Sequence, residues 1–249
     1  MYDVVAFYKN VATSGSLTKI TPISDNMYHV SGDDLLMKKG KEYLVWAAAH
    51  STNVIRGQLR KPQFGDKYVN IQANRDYNSL FKYFAKNFFI QKPLKLTPDE
   101  PLNVYVASDD SGSAEDLFTI LFFSSTPKIV RPLDYDYVLR LTGSTTTTGK
   151  NWTVVDLTPD VTLAEGTYEI VGMIPYSTNL LAARIIDPNS SNRPGVVGYR
   201  TEQGALGFFP GVGLYTGVRF KPRSIPKMEW LSFAADSSEV IYWFLKKVG

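Results

Sequence analysis

Short apolar runs rich in β-branched and aromatic side chains recur along the whole chain. Residues 4–7, 43–49, 54–59, 102–107 and 117–123 carry them in the first half, and residues 137–141, 152–157, 167–174, 180–186 and 240–245 in the second. Gly, Pro, Asn, Asp and Ser bound these runs at spacings of roughly 8–12 residues, the spacing of short strands joined by turns. Many strands without alternating helices predict an all-β chain built of sandwiches rather than a parallel α/β sheet. One segment has a different period. Between residues 76 and 87, Tyr77, Leu80, Phe81 and Phe84 fall at i, i+3, i+4 and i+7, Phe88 extends the stripe, and Asp76 is suited to cap it. That pattern predicts a short amphipathic helix lying over an end or edge of the first sandwich.

The same pattern is written twice. His50–Pro62 reads HSTNVIRGQLRKP and Tyr176–Pro188 reads YSTNLLAARIIDP. Ser51-Thr52-Asn53 recurs as Ser177-Thr178-Asn179, 126 residues on. Without a gap from position 40 to 62, six of 23 pairs at this offset are identical: Gly40, Val45, Ser51, Thr52, Asn53 and Pro62. Other anchors keep the order. YDVV from Tyr2 resembles YDYV from Tyr135, Lys92-Pro93 meets Lys221-Pro222, and Ala107 and Asp109 meet Ala234 and Asp236. The drifting offsets imply small loop insertions, which cost little free energy. The chain is therefore expected to be an internal duplication: a first jelly roll over 1–124, a Pro-interrupted linker over 125–134, and a second jelly roll over 135–249. About 120 residues per half suits an eight-stranded, two-sheet jelly roll. The predicted fold is two tandem jelly-roll β-sandwiches with a short amphipathic helix in the first.

Charge and composition narrow the function classes. Net charge is +3, with 14 basic and 13 acidic residues up to Ser124 and 13 and 11 beyond. Neither half is a basic arm, so bulk capture of nucleic acid is not indicated and no sequence-specific nucleic-acid partner is expected. The chain contains no cysteine, which excludes disulfides, thiolate zinc sites and cysteine nucleophiles. The apolar runs fall short of the roughly 20 residues of a membrane-spanning helix. Asp3 stands where a secretion signal wants basic residues, so a soluble chain is expected.

Motifs that resemble catalytic ones fail on spacing. GSTTTTGKN from Gly143 has five residues between its glycines and Asn151 after Lys150, where a phosphate loop needs four and a Ser or Thr. GFFPGVGLYTG from Gly207 has the wrong last glycine interval for a dinucleotide site. In DDSGSAED from Asp109, glycine is fourth, where a calcium loop places it sixth. His29 and His50 are a poor supply for a cupin-type metal centre, and no G-x-S-x-G elbow is present. No catalytic residues, cofactor or metal ligands are assigned, and the chain is expected not to be an enzyme. A carboxylate pair meeting in space leaves no signature, which keeps a β-rich hydrolase as a minor alternative. RFKPRSIPK sets Arg219, Lys221 and Arg223 at period two, followed by Lys227. On a strand these form a basic stripe, either facing phosphates of lipid or nucleic acid or guarding an edge against strand pairing. Asn151 and Asn189 begin glycosylation-type triplets.

Two tandem β-sandwiches of similar length, without cysteine and with the duplicated residues above, resemble the double jelly-roll major capsid proteins of tailless icosahedral viruses. The amphipathic segment at 76–87 is similar to a helix that family carries inside a sandwich. The resemblance implies a structural virion protein. Three chains would give six roughly equivalent domains, a pseudo-hexagonal trimer able to tile an icosahedral shell. It also implies other virion proteins, such as a vertex protein, as partners, and a base able to face an internal lipid membrane, for which the stripe from Arg219 to Lys227 is a candidate surface. At 249 residues the chain leaves little room for long tower loops. The alternative from another class is a carbohydrate-binding protein of two lectin-like sandwiches, motivated by 15 Tyr able to stack on sugar rings.

Overall fold

The computed structural model describes residues 2–12, 14–24, 28, 30–75, 92–109, 113–128, 130–198, 212–214, 216–237 and 239–249. At 56% strand the chain is all-β. The helix expected over 76–87 lies outside the described residues. No helix among the described residues is long and apolar enough to cross a membrane. The chain packs as two compact units, one drawn from residues 4–127 and the other from 128–249 together with Tyr2 and Asp3. In the latter, the Tyr2 hydroxyl donates to the Gly195 carbonyl (2.6 Å) and Asp3 Oδ1 accepts the Arg193 amide (2.8 Å).

The first unit holds β1 (Tyr2–Val11) from Val4 onward, β2 (Thr18–Pro22), β3 (Val30–Ser31), β4 (Asp34–Leu36), β5 (Tyr43–Ser51), β6 (Val54–Arg60), β7 (Val69–Arg75), β8 (Leu94–Lys95), β9 (Pro101–Ser108) and β10 (Glu115–Ser124). Seven of them close into a barrel in the order β1, β10, β5, β7, β6, β9, β2 and back to β1. Phe7, Ile20, Leu44, Leu59, Val104 and Leu121 are among the side chains that fill its core. The β5 and β10 runs are buried on both faces, since Trp46, Ala48, Phe118 and Phe122, which alternate with the core-facing residues, are also inaccessible. That explains why these strands read as continuous apolar segments rather than as an alternation.

Closure depends on β7. Its first three residues pair antiparallel with β6 and its next four pair parallel with β5, so one strand carries the sheet across from one hairpin arm to the other. The crossing needs space at Gly57. A Cβ there would stand 2.7 Å from Ile71 Cγ1 and 2.9 Å from Ala49 Cβ.

The second unit holds β11 (Val130–Pro132), β12 (Tyr137–Gly143), β13 (Trp152–Val155), β14 (Leu157–Pro159), β15 (Tyr168–Tyr176), β16 (Leu180–Ile185), β17 (Gly195–Val197), β18 (Val212–Leu214), β19 (Val218–Phe220), β20 (Met228–Ser232) and β21 (Val240–Lys247). They form two curled sheets, ordered β14–β12–β21–β15–β19 and β13–β20–β16–β17, with β11 paired to β18. Here the edges of β15 and β16 are taken by two different strands, β19 and β17. On the other side, β13 pairs with β20 and β14 with β12, separated by Asp156. In the first unit the single strand β2 pairs with both β1 and β9.

Beneath these different closures the two units share irregularities that sequence alone does not display. The register of β5 against β10 skips Val45, and that of β15 against β21 skips Val171. The register of β6 against β9 skips Ile55, and that of β16 against β20 skips Leu181. Each pair of skipped residues is 126 apart, the offset of the repeated Ser-Thr-Asn. A bulge is one extra residue that bends and twists a strand, so the repeat in sequence is also a repeat in backbone shape across this hairpin. One anchor needs correction. Val54 stands opposite Ser108 and Leu180 opposite Ser232, while the amides of Asp109 and Phe233 donate to the carbonyls of Asn53 and Asn179, each at 3.0 Å. Asp109 therefore corresponds to Phe233, not to Asp236.

Substitution of Gly57 by Ala drives a methyl group into Ile71 and Ala49, and overpacking of this kind costs about 1–3 kcal/mol. Urea unfolding of Gly57→Ala, Ile71→Ala and the double variant is expected to show a combined loss smaller than the sum of the single losses, because the second change vacates the space the first needs. Strict additivity would mean that β7 does not cross at this point.

Candidate functional site

Tight turns between strands leave donors that the ladder does not satisfy, and a buried donor without an acceptor is costly. Between β5 and β6 these donors are the Ser51 hydroxyl and the Asn53 amide. Glu115, the first residue of β10, meets both. Its Oε1 accepts from the Asn53 amide at 2.7 Å and from Ser51 Oγ, while its Oε2 accepts from Ser108 Oγ at the end of β9. The carboxylate is buried. One side chain thus ties the turn to the ends of two further strands. Its neighbour Asp116 points the other way, as alternation along a strand requires, and accepts from Tyr8 Oη (2.8 Å) and Asn10 Nδ2 (2.7 Å).

The second unit repeats the latch with a shorter acid. Asp236 Oδ2 accepts from the Asn179 amide at 2.7 Å and from Ser177 Oγ, and its Oδ1 accepts from the Ser237 amide at 2.9 Å. Thr147 holds the backbone of Asp236 from the other side. The Thr147 amide donates to the Asp236 carbonyl (2.7 Å), and the Asp236 amide donates to Thr147 Oγ1 (3.1 Å). The segment GSTTTTGKN thus serves as a clasp, entering β13 directly after Lys150 and Asn151. Beside it lies Glu239, 1% exposed, with burial and the Asp236 charge pushing its carboxyl up to about 7.

Both latch carboxylates are spent on donors within the protein, which suits an anchor rather than a nucleophile or a proton carrier. Among the described residues no group of three or more His, Asp or Glu is placed to hold a metal ion. Within DDSGSAED, Glu115 turns inward to its latch while Asp109 is exposed.

The remaining residues singled out by sequence are dispersed. Strand β19 ends at Phe220, so Arg219 stands on a strand while Lys221 begins a turn closed by the Ser224 amide on the Lys221 carbonyl (2.8 Å). The period-two stripe is therefore broken after its first member. Arg219 pairs with Glu169, Arg223 with Glu165 and Lys227 with Asp156, each at 2.8 Å, and all three cations are well exposed. Surface pairs of this kind contribute about 0–1 kcal/mol each, but they offset much of the local positive charge. His29 lies outside the described residues. His50 lies on β5 with its ring stacked on Trp46 at 6.2 Å, and complete burial lowers its pKa to about 3. Of the four Trp, three are buried, and Trp152 is half-buried beneath the Arg184 guanidinium at 3.9 Å. Among the described residues, Tyr68, Tyr135 and Tyr137 are the exposed tyrosines.

Comparison with models of protein families, with curated proteins and with solved structures finds no match to this chain.

His50 is neutral in the fold and titrates near its ordinary 6.5 when unfolded. The folded chain therefore binds fewer protons between about pH 6.5 and 3, and the stability this residue contributes is lost as pH falls through that window. The limiting loss is on the order of 5 kcal/mol. In denaturant titrations from pH 7 to 4, His50→Leu should lose stability less steeply than the wild type. Equal slopes would place an ionisable, solvent-reached imidazole at this position.

Proposed function

We propose that this chain is a shell-building structural protein of the double jelly-roll capsid type, assembling through trimers into an icosahedral virion. In this reading both units descend from one jelly roll, the first closed by β7 and β2 and the second left as two sheets. The observation that carries it is the twin latch. Two units of one polypeptide place the same turn and the same two bulges at corresponding positions, and in each a buried carboxylate accepts from the hydroxyl and amide of that turn. Such duplication gives a chain two similar outer surfaces, and three chains around an axis then present six, the geometry of a hexagonal tile. The latch carboxylates, spent on tying turns, support a scaffold reading.

As a virion protein the chain would meet further copies of itself first, then other shell components such as a vertex protein, and an internal membrane where one is present. A trimer stable at micromolar concentration buries well above about 1,200 Å² of total surface. Light scattering of purified protein at micromolar concentration, followed by electron microscopy, tests the reading. Trimers that extend into sheets or closed particles are the expected result. A strictly monomeric species at all salt concentrations overturns it. Binding to a glycan array by such a monomer would transfer the assignment to a sugar-binding protein.

A further inference from the structure

The shared framework of the two units provides an internal control for one buried acid. In β10, Phe118 stands opposite His50, and in β21, Val240 stands opposite Tyr176; His50 and Tyr176 are themselves 126 apart. The residue before each is therefore equivalent: Leu117 in the first unit and Glu239 in the second. Leu117 is fully buried in the barrel core, and Glu239 is buried to the same degree. An acid thus occupies a core position where the other unit has leucine.

Burial penalises the charge of Glu239 more than its own backbone amide favours it. No hydrogen-bond donor from any other described residue reaches either carboxyl oxygen. On the β12 side it faces Gly143, whose missing side chain provides the space it fills: a Cβ there would stand 2.9 Å from Glu239 Cβ and 3.3 Å from Oε2. Val155 of β13 closes the same space, 2.7 Å from that Cβ position. The titratable group whose charge acts on it from the adjoining segment is Asp236, the latch anchor itself. A second negative charge next to Asp236 would be both desolvated and repelled.

We propose that Glu239 is a proton-operated release for the Asp236 latch, closed while its carboxyl is neutral and opened when the proton leaves to water. The folded carboxyl titrates near 7 against an ordinary 4.5. The closed state therefore binds more protons than the open one between those values, and its stability is present below them and lost as pH rises through the window. The sense is opposite to that of His50 in the first unit, so acid loosens one unit and neutrality the other.

Amide exchange of the full-length protein at pH 5 and pH 8, corrected for the intrinsic base-catalysed rise, tests the proposal. In the wild type the opening constant of segments 177–180 and 232–237 is expected to rise on the order of fiftyfold over that range. In Glu239→Gln and in Glu239→Leu, which copies the first unit, the rise should disappear. The turn at 51–54, next to His50 and backed by Leu117, should show no such rise; its opening should fall between pH 5 and pH 8 as His50 becomes neutral, and equally in all three proteins. Carboxyl carbon NMR of the wild type gives an answer even if one variant fails to fold, with a Glu239 midpoint near 7 expected. A midpoint near 4.5, or variants that keep the wild-type rise, would overturn the proposal.

Discussion

A carboxylate withdrawn from water must be met by donors or its burial destabilises the fold. In this protein that constraint is satisfied at the same place twice. Glu115 and Asp236 take the hydroxyl and amide donors that the Ser-Thr-Asn turns leave over; Glu115 joins its turn to β10, and Asp236 joins its turn to the segment between β20 and β21. The turns fix where β5 meets β6 and β15 meets β16. The bulges at Val45 and Val171, and at Ile55 and Leu181, then set the bend each hairpin needs to curl over its core. Without the latches, a turn bearing unsatisfied buried donors would have to open to water, and the registers beside it would lose their reference point.

On this common framework the units diverge through a few positions. Gly57 lets β7 pass close to Ala49 and Ile71, and the first unit closes. The second has Ala183 at the equivalent place, paired with Val196 on one side and Trp230 on the other, and its sheet edges go to separate strands. Gly195 allows β17 that approach, since a Cβ there would lie 2.3 Å from the Ala183 carbonyl oxygen. Two more exchanges alter the response to protons. A buried imidazole in the first unit corresponds to Tyr176 in the second, and a buried leucine in the first corresponds to Glu239.

Strand positions were legible because β-branched and aromatic runs bounded by turn residues have one structural solution at this length. The ten runs named from the sequence coincide with strands, except that residues 152–157 divide at Asp156. The hairpin repeat was legible because its anchors are contiguous. The latch acceptors were not, since Glu115 and Asp236 lie 64 and 59 residues beyond their serines and differ in side-chain length. A turn with two leftover donors was the available signal, and it names no acceptor. Aligning Asp109 with Asp236 failed for a related reason: chemical identity outweighed register, which backbone pairing alone reveals. The basic stripe failed because period two implies a shared face only while the strand lasts, and β19 stops at Phe220.

The two latches act as the same device, a buried carboxylate holding the hydroxyl and amide of a Ser-Thr-Asn turn. Double-mutant cycles measure this directly, with Ser51→Ala against Glu115→Gln in one unit and Ser177→Ala against Asp236→Asn in the other. Contacting groups in one hydrogen-bond network couple by about 0.5–3 kcal/mol. Coupling of that size and of the same sign in both units is the predicted result. Additive losses in either unit would contradict the account, because that carboxylate would then not be the anchor of its turn.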